Sequence, residues 1–325
     1  MHTDGPLLFA LGASRDPGAA IAAKLGWELA PHEEREFEDG EHKARPLVSV
    51  RGRDVYAIHS LHGEPGQSVN DKLLRLLFFV GALRDASAAR VTAVVPYLAY
   101  SRKDQKSKSR DPVTTRYVAS FFEAAGADCV VTLDVHNLAA FQNAYRCRAE
   151  NLESAAILAG RLAPMIGPAE ACVVSPDAGG IKRADRFRAC VEEIAGRPVG
   201  TAFVEKYRSE GELRGDRLVG DVQGKVAILV DDLIASGRTL ERAADACRRN
   251  GAARVLAAAA HGLFCGDAAA ALAAGALERI VVTDTVPGTR LEAALAARVD
   301  YVSTAALFSQ AIWRLHTGGS LSELR

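Results

Sequence analysis

Residues 225–239 constrain this chain more than any other stretch. The apolar run 226–230 reads as a buried strand. Two adjacent carboxylates, Asp231 and Asp232, stand at its C-terminal end. A short turn holding Ser236, Gly237, Arg238 and Thr239 follows, and a helical pattern runs over 240–250. Carboxylates at a strand end can hold the vicinal hydroxyls of a ribose. The N–H groups and hydroxyls of a turn at a helix N-terminus can hold a phosphate. One short motif can therefore grip a pentose phosphate by both ends. An ordinary βα junction with a capped helix has the same outline, so the surrounding chain has to decide between them.

With 325 residues there is room for two domains of ordinary size. The formal net charge is +0, so no global field attracts nucleic acid or an anionic membrane. No apolar run approaches the ~20 residues of a bilayer span. No secretory signal is visible at the N-terminus. Cys129, Cys147, Cys172, Cys190, Cys247 and Cys265 are scattered, with no zinc or disulfide spacing. That pattern fits a reducing compartment, and a cytoplasmic location is expected.

The chain repeats itself. Ala82, Arg84, Ala88, Ala89, Arg90 and Val91 recur 164 residues later as Ala246, Arg248, Ala252, Ala253, Arg254 and Val255. Each copy ends a helical pattern and opens an apolar strand, which favours duplication of one α/β domain. Strands are expected at 55–59, 91–96, 129–134, 172–175, 226–231, 255–260 and 280–283. Helices are expected at 71–86, 114–125, 153–163, 180–195, 240–250 and 303–316. This alternation predicts parallel sheets covered on both faces. The domain boundary is placed at 150/151, giving domains 1–150 and 151–325, with the C-terminal tail packing on the first.

Ligands of open α/β sheets lie beyond the carboxyl ends of the strands. Several polar clusters fall there. Asp134 and His136 flank one strand exit and suit a divalent metal or its bound water. Ser175, Asp177, Gly179 and Gly180 form a glycine turn. Asp177 there could hold Mg²⁺ or a sugar hydroxyl, or simply cap a helix. Phe37, Asp39 and Glu41 form an acidic aromatic turn, either purine-contacting or a plain hairpin turn. Residues 100–110 are a basic loop in which Arg102 suits a nucleotide oxygen. No aromatic is interleaved within the basic run to stack bases of nucleic acid. Residues 205–215, with Lys206 and Arg208, look like a lid over transferring phosphates or a hairpin excursion.

In this order and spacing the motifs resemble the ribose-phosphate pyrophosphokinase family. The resemblance runs essentially from Leu7 to Leu324. It rests on Phe37-Glu38-Asp39-Gly40-Glu41, on Pro96-Tyr97 followed by Tyr100, Arg102 and Asp104, and on Asp134-Val135-His136. It rests further on Ser175-Pro176-Asp177 with Gly179, Lys206-Tyr207-Arg208, the 230–239 loop, and Ser320 with Ser322. The resemblance implies two duplicated phosphoribosyltransferase-like domains with parallel sheets and a homo-oligomer built from dimers, often a hexamer. It implies transfer of the diphosphoryl group of ATP to ribose 5-phosphate. ATP would meet Phe37, Asp39, Glu41, Arg102, Lys103 and Asp104. Mg²⁺ would be held by His136 and Asp177. Ribose 5-phosphate would sit on Asp231, Asp232, Ser236, Gly237, Arg238 and Thr239, with Lys206 and Arg208 catalytic. Phosphate or ADP would regulate through Ser49, Arg51, Ser109, Arg110, Ser320 and Ser322.

The chain departs from the family pattern in places. Ala235 stands where many members carry a further Asp, Arg238 where a small residue is usual, and Lys103 where Gln is usual. Asp284 replaces Asn, and Glu323-Leu324-Arg325 replaces an aromatic-containing end. Ala235 and Arg238 motivate one alternative, a non-catalytic paralogue that regulates a true synthetase. A nucleobase phosphoribosyltransferase is a second, but it would need only one such domain and no ATP turn.

Overall fold

The structure, a computed structural model, describes residues 5–209, 212–273, 275–288 and 291–324. The chain divides into two compact units, Met1–Glu153 with Thr304–Arg325, and Ser154–Ser303.

The first unit holds β1 (Leu7–Ala10), α1 (Arg15–Leu25), β2 (His32–Glu36), β3 (His42–Pro46), β4 (Asp54–Ile58) and α2 (Val69–Asp85). It continues through β5 (Arg90–Val95), α3 (Thr114–Ala124), β6 (Cys129–Leu133), α4 (Leu138–Ala144) and β7 (Arg148–Leu152). Its main sheet is wholly parallel in the order β1-β4-β5-β6-β7. The strands are near-continuous apolar runs such as Val91 to Val95, as burial of both faces requires. β2 and β3 form a separate antiparallel pair.

The second unit holds α5 (Ala155–Ile166), β8 (Ala171–Ser175), α6 (Ile181–Ala195), β9 (Gly200–Ser209), β10 (Glu212–Val219), β11 (Val226–Ile234) and α7 (Arg238–Arg249). After these come β12 (Arg254–Gly262), α8 (Ala268–Ala273), β13 (Arg279–Thr283), α9 (Ala293–Ala296) and β14 (Val299–Val302). The sheet order is β10-β9-β8-β11-β12-β13-β14, parallel except for the β9–β10 pair. Side-chain alternation splits β11 between two cores. Val226, Ile228 and Val230 pack with α5 and α6, and Ala227 and Leu229 with α7. After β8 the chain adds β9 on one side and β11 on the other. The order therefore reverses between β8 and β11, the kind of switch point at which ligands of open α/β sheets bind.

The α/β class with parallel sheets is as expected. The last helix, α10 (Ala305–Thr317), follows the 150/151 boundary in the chain but falls in the first unit, the domain on which the C-terminal tail was placed. A polar knot at the start of β4 and β5 explains this. Arg90 donates to Asp54 through Nε at 2.7 Å and Nη2 at 2.5 Å, and Nη2 also reaches the Leu315 carbonyl at 2.9 Å. His316 Nδ1 lies 2.8 Å from Asp54 Oδ2. Trp313 of α10 meets Trp27 just past α1, with ring centroids 6.0 Å apart. Strands β1, β7, β9, β10 and β14, the helices α1 and α4, and the pairing of β2 with β3 were not assigned from sequence.

The duplication is visible in backbone hydrogen bonds. Ala88 N–H donates to the Leu83 carbonyl, and Ala252 N–H to Cys247. Gly52 N–H donates to Ser87, and Gly224 N–H to Gly251. Ser87 and Gly251 both close their helix–strand junction at positive φ, 69° and 85°. Only glycine takes that conformation without steric cost. Replacing exposed Ser87 by Gly should therefore stabilise the chain by about 1 kcal/mol. Urea denaturation would show this as a higher midpoint at unchanged slope.

Candidate functional site

In the second unit the crevice is built by unequal strand lengths. The β8 ladder on β11 ends at Leu229↔Val174, while β11 continues to Ile234. Asp231 and Asp232, expected at the C-terminal end of a strand over 226–231, lie within a longer one, beyond the reach of β8. The Asp232 side chain is 4% exposed and that of Asp231 22%. Arg183, on the first turn of α6, approaches both, its Nη1 lying 3.6 Å from Asp231 Oδ1 and 3.4 Å from Asp232 Oδ1. Asp232 N–H also donates to Asp231 Oδ1 at 2.9 Å. Burial and the neighbouring Asp232 carboxylate push the Asp231 carboxyl well above its ordinary range, with Arg183 opposing them. In the sequence Arg183 reads only as part of a basic helix start after the glycine turn, with no site role, although its place three residues after Gly180 on a new helix was a usable signal.

Two turns flank the carboxylates. After β8, Asp177 Oδ1 accepts from Gly179 N–H at 2.9 Å and Gly180 N–H at 3.1 Å, so this residue does cap the 3-10 turn Ala178–Gly180. Its Oδ2 makes no hydrogen bond among the described residues. Ser175 Oγ donates to the Asp177 carbonyl at 2.6 Å, and a Cβ on Gly180 would stand 2.6 Å from that Oγ. After β11, Gly237 opens α7 at φ +73°, and a Cβ there would meet Leu272 Cγ at 2.7 Å. Ser236, Arg238 and Thr239 are exposed at this helix start, where unpaired N–H groups favour an anion. Arg238 is drawn aside to Asp267, at 3.0 Å.

In the first unit, Phe37, Asp39 and Glu41 form the tip of the β2–β3 hairpin. Phe37 N–H donates to the Glu41 carbonyl, Asp39 Oδ1 accepts from Glu41 N–H, and the Arg35 guanidinium lies 4.9 Å from the Phe37 ring centre. Beside the tip lies a cleft of about 520 Å³ lined by Asp39, Glu41, Asp71, Leu74, Arg75 and Phe78, among others. The α2 residues of this cleft were not singled out from sequence.

The basic loop is folded around one of its own acids. Lys103 Nζ is bonded to Asp111 Oδ2 and Ser107 Oγ, both at 2.6 Å. Asp111 also accepts from the N–H groups of Ser107 and Lys108. The Lys103 ammonium, then the Lys108 N–H, hold the Asp111 carboxyl down at about 2. Lys103 thus serves the shape of its own loop, while Arg102 is exposed beside it. Asp104 accepts from Asn137 Nδ2 at 2.7 Å, which brings this loop to the exit of β6, where Asp134 adopts φ 40° and His136 is exposed.

Lys206 and Arg208 are on β9, their backbones paired with Asp216 and Leu213; their side chains lie outside the described residues. The stretch read as a lid or a hairpin excursion forms the antiparallel pair of β9 and β10, with Glu210 and Gly211 also outside the described residues. Ser49, Arg51, Ser109 and Arg110 are exposed. Ser320 Oγ and Ser322 Oγ lie 2.7 Å apart and help line a polar cleft of about 290 Å³ with Arg148 and Asn151. Among the described residues no group of three or more His, Cys, Asp or Glu is arranged to hold a metal, and no helix is long and apolar enough to cross a membrane.

Comparison with known proteins covers nearly the whole chain. Residues 7–126 match the N-terminal domain of ribose phosphate pyrophosphokinase, and residues 214–325 the phosphoribosyl synthetase-associated domain. A ribose-phosphate pyrophosphokinase of Caldanaerobacter subterraneus is 37% identical over 99% of this chain and 98% of that protein. Ribose-phosphate pyrophosphokinase A of Dictyostelium discoideum is 36% identical over 96% of this chain and 95% of that one. The crystal structure of phosphoribosylpyrophosphate synthetase from Mycobacterium smegmatis superposes with a TM-score of 0.86 at 31% identity, covering 97% of this chain and 100% of that chain.

The carboxylate pair makes a prediction about pH. A carboxyl raised in the folded state binds its proton more tightly there than in the unfolded chain. The stability it contributes is lost as pH climbs from about 4, the unfolded value, through the raised native value. Asp231→Asn should therefore raise the melting temperature near pH 8 more than near pH 4. Scanning calorimetry at the two pH values would measure the difference.

Proposed function

Because the chain belongs to the ribose-phosphate pyrophosphokinase family, we propose that it transfers the β,γ-diphosphoryl group of ATP to the C1 hydroxyl of ribose 5-phosphate. The products are 5-phosphoribosyl 1-pyrophosphate and AMP. The observation that carries this reading is the continuity of Asp231, Asp232 and the α7 start at a sheet switch point. The two carboxylates accept the ribose hydroxyls, and the 236–239 turn takes the 5-phosphate on backbone N–H groups. Ala235 leaves both functions in place, since neither uses a side chain at that position.

ATP is assigned to the first unit, to Phe37, Asp39, Glu41, Arg102 and Asp104. A purine would stack on Phe37 or displace Arg35 from it, and Arg102 would meet the phosphates with its planar fork. Lys103 acts behind them through Asp111. The anomeric oxygen attacks the β-phosphorus, the bond to the AMP oxygen breaks, and AMP departs on the far side. Such transfers depend on positioning and charge more than on covalent help. Lys206 and Arg208 are assigned to the charge that develops in the transition state. The hydroxyl proton is released to water.

Mg²⁺ is the cation proposed. Asp177 fits it, because a hard oxygen, Oδ2, stays available after Oδ1 has capped its turn. His136 is the first unit's candidate. The lack of a three-ligand cluster among the described residues agrees with a cation that keeps its waters and uses substrate phosphates. When bound, it would neutralise phosphate charge.

Assembly and regulation are also proposals. Leu74 and Phe78 on α2, and Tyr117 and Phe121 on α3, are 44–58% exposed at i, i+4 spacing. Such apolar faces favour a homo-oligomer. Regulation by phosphate through Ser49, Arg51, Ser109, Arg110, Ser320 and Ser322 would appear as activity that differs between phosphate-free and phosphate buffers.

The deciding experiment measures AMP from ATP and Mg²⁺ with and without ribose 5-phosphate. AMP formed only with the sugar, in equal amount with phosphoribosyl pyrophosphate, is the expected result. No sugar-dependent AMP in either buffer would shift the reading to a non-catalytic paralogue, which should then bind an active homologue. Asp232→Asn should raise KM for ribose 5-phosphate about 10- to 100-fold, the worth of a charge-assisted hydrogen bond. Chelation of Mg²⁺ should abolish turnover.

A further inference from the structure

The β2–β3 hairpin pairs with no other strand among the described residues. Its entry is tied to β1 by the bridge between Leu29 and Leu8, where Ala30 N–H donates to the Leu8 carbonyl at 2.7 Å. Beyond that point no backbone ladder among the described residues reaches the main sheet, and the seat of the ribbon depends on side chains. Apolar contacts supply part of this, with Phe9, His32 and Phe79 in mutual edge or tilted contact. Such contacts hold a ribbon down but do not fix its direction, because the hydrophobic effect is non-directional. Direction comes from two acids on β2. Glu34 Oε1 accepts from Gly12 N–H at 2.8 Å and lies 3.0 Å from His32 Nε2, while its Oε2 lies 3.6 Å from His42 Nε2. Glu36 Oε2 accepts from Arg75 Nη2 of α2 at 2.9 Å.

Each partner comes from a different place. Gly12 sits in the turn from β1 to α1, at φ +48°, so its N–H ties the hairpin to the exit of the main sheet. His42 faces Glu34 from the opposite strand. Glu36 and His42 form the last pair of the ladder, and the tip from Phe37 to Glu41 hangs directly from it. Burial works against charge on Glu34, but the hydrogen bonds from His32 and Gly12 outweigh it and hold its carboxyl at about 2. The carboxylate is therefore charged, and its bonds are charge-assisted and directional.

We infer that Glu34 is a positioning residue for the nucleotide: by tying the hairpin to Gly12 it sets where Phe37, Asp39 and Glu41 stand. This rests on the proposed reading of the hairpin tip as the ATP contact. Loss of the tie lets the tip move, and misplacement is felt in nucleotide binding. Ribose 5-phosphate, assigned to the second unit, is not touched by it.

Steady-state kinetics on the full chain tests this. Glu34→Ala should raise KM for ATP about tenfold and leave KM for ribose 5-phosphate within about twofold. Glu34→Gln should restore KM for ATP to within about threefold, since its oxygen still accepts from Gly12 N–H and its amide can donate to a neutral histidine. Phe37→Ala separates the two ideas. If Phe37→Ala raises KM for ATP and Glu34→Ala does not, the inference falls and the nucleotide reading stands. If neither variant changes it, the nucleotide reading falls and takes the inference with it. A rise in both KM values, or a failure of Gln to rescue, would mark Glu34 as merely structural and overturn the inference. Should Glu34→Ala not fold, Glu36→Gln loosens the same seat from the α2 side, and an unchanged KM for ATP there would overturn it equally.

Discussion

The β8–β11 ladder is the constraint on which the second unit turns. Parallel strands need crossover helices, and the crossovers here place α5 and α6 on one face and α7 on the other. Because β8 stops pairing at Leu229, the rest of β11 has a neighbour on one side only. That gap leaves two carboxylates at the rim of an otherwise apolar sheet, Asp231 partly exposed and Asp232 nearly buried. Arg183 and the two glycine turns then have a fixed frame to converge on. Without unequal strands there would be no crevice, and two adjacent acids would be an unrelieved cost.

The first unit uses the same chain pattern for a different end. Its strands add in one direction, so its sheet has no reversal point. Its functional candidates sit instead on appendages: the β2–β3 hairpin, and the loop that Asp111 gathers around itself. Each appendage is held by charge. In the second unit backbone ladders place the site, and in the first side-chain carboxylates do so. Substitutions should accordingly act through different physics in the two halves.

Much of this could be read from sequence, and the exceptions have physical causes. The strand cores at 91–95 and 226–230 are dense apolar runs and were assigned nearly to the residue. Short or charged elements were missed. β2, His32–Glu36, carries charge on almost every residue, so no alternation marks it as a strand. α1 has many small residues and a weak apolar stripe. The extension of β11 past Asp231 to Ile234 was hidden, because carboxylates normally end a strand rather than continue it. Among site residues, Asp231, Asp232 and Gly237 were legible because they sit in one contiguous motif. Arg183, Glu34 and Arg75 were not, since their roles depend on partners far along the chain. The bond from Lys103 to Asp111 was likewise out of reach, since nothing in a run of basic residues says which of them turns back on its own loop.

The knot of Asp54, Arg90 and His316 has a consequence for how the molecule is made. The second unit is contiguous and complete at Ser303, but the first is split and takes its last helix, α10, only afterwards. During synthesis from the N-terminus, residues 5–153 must wait, with one flank of α1 uncovered, while the other unit emerges and folds. The half of the protein that begins first is therefore finished last. Asp54 and the Arg90 guanidinium are the docking point that the late-arriving helix must find.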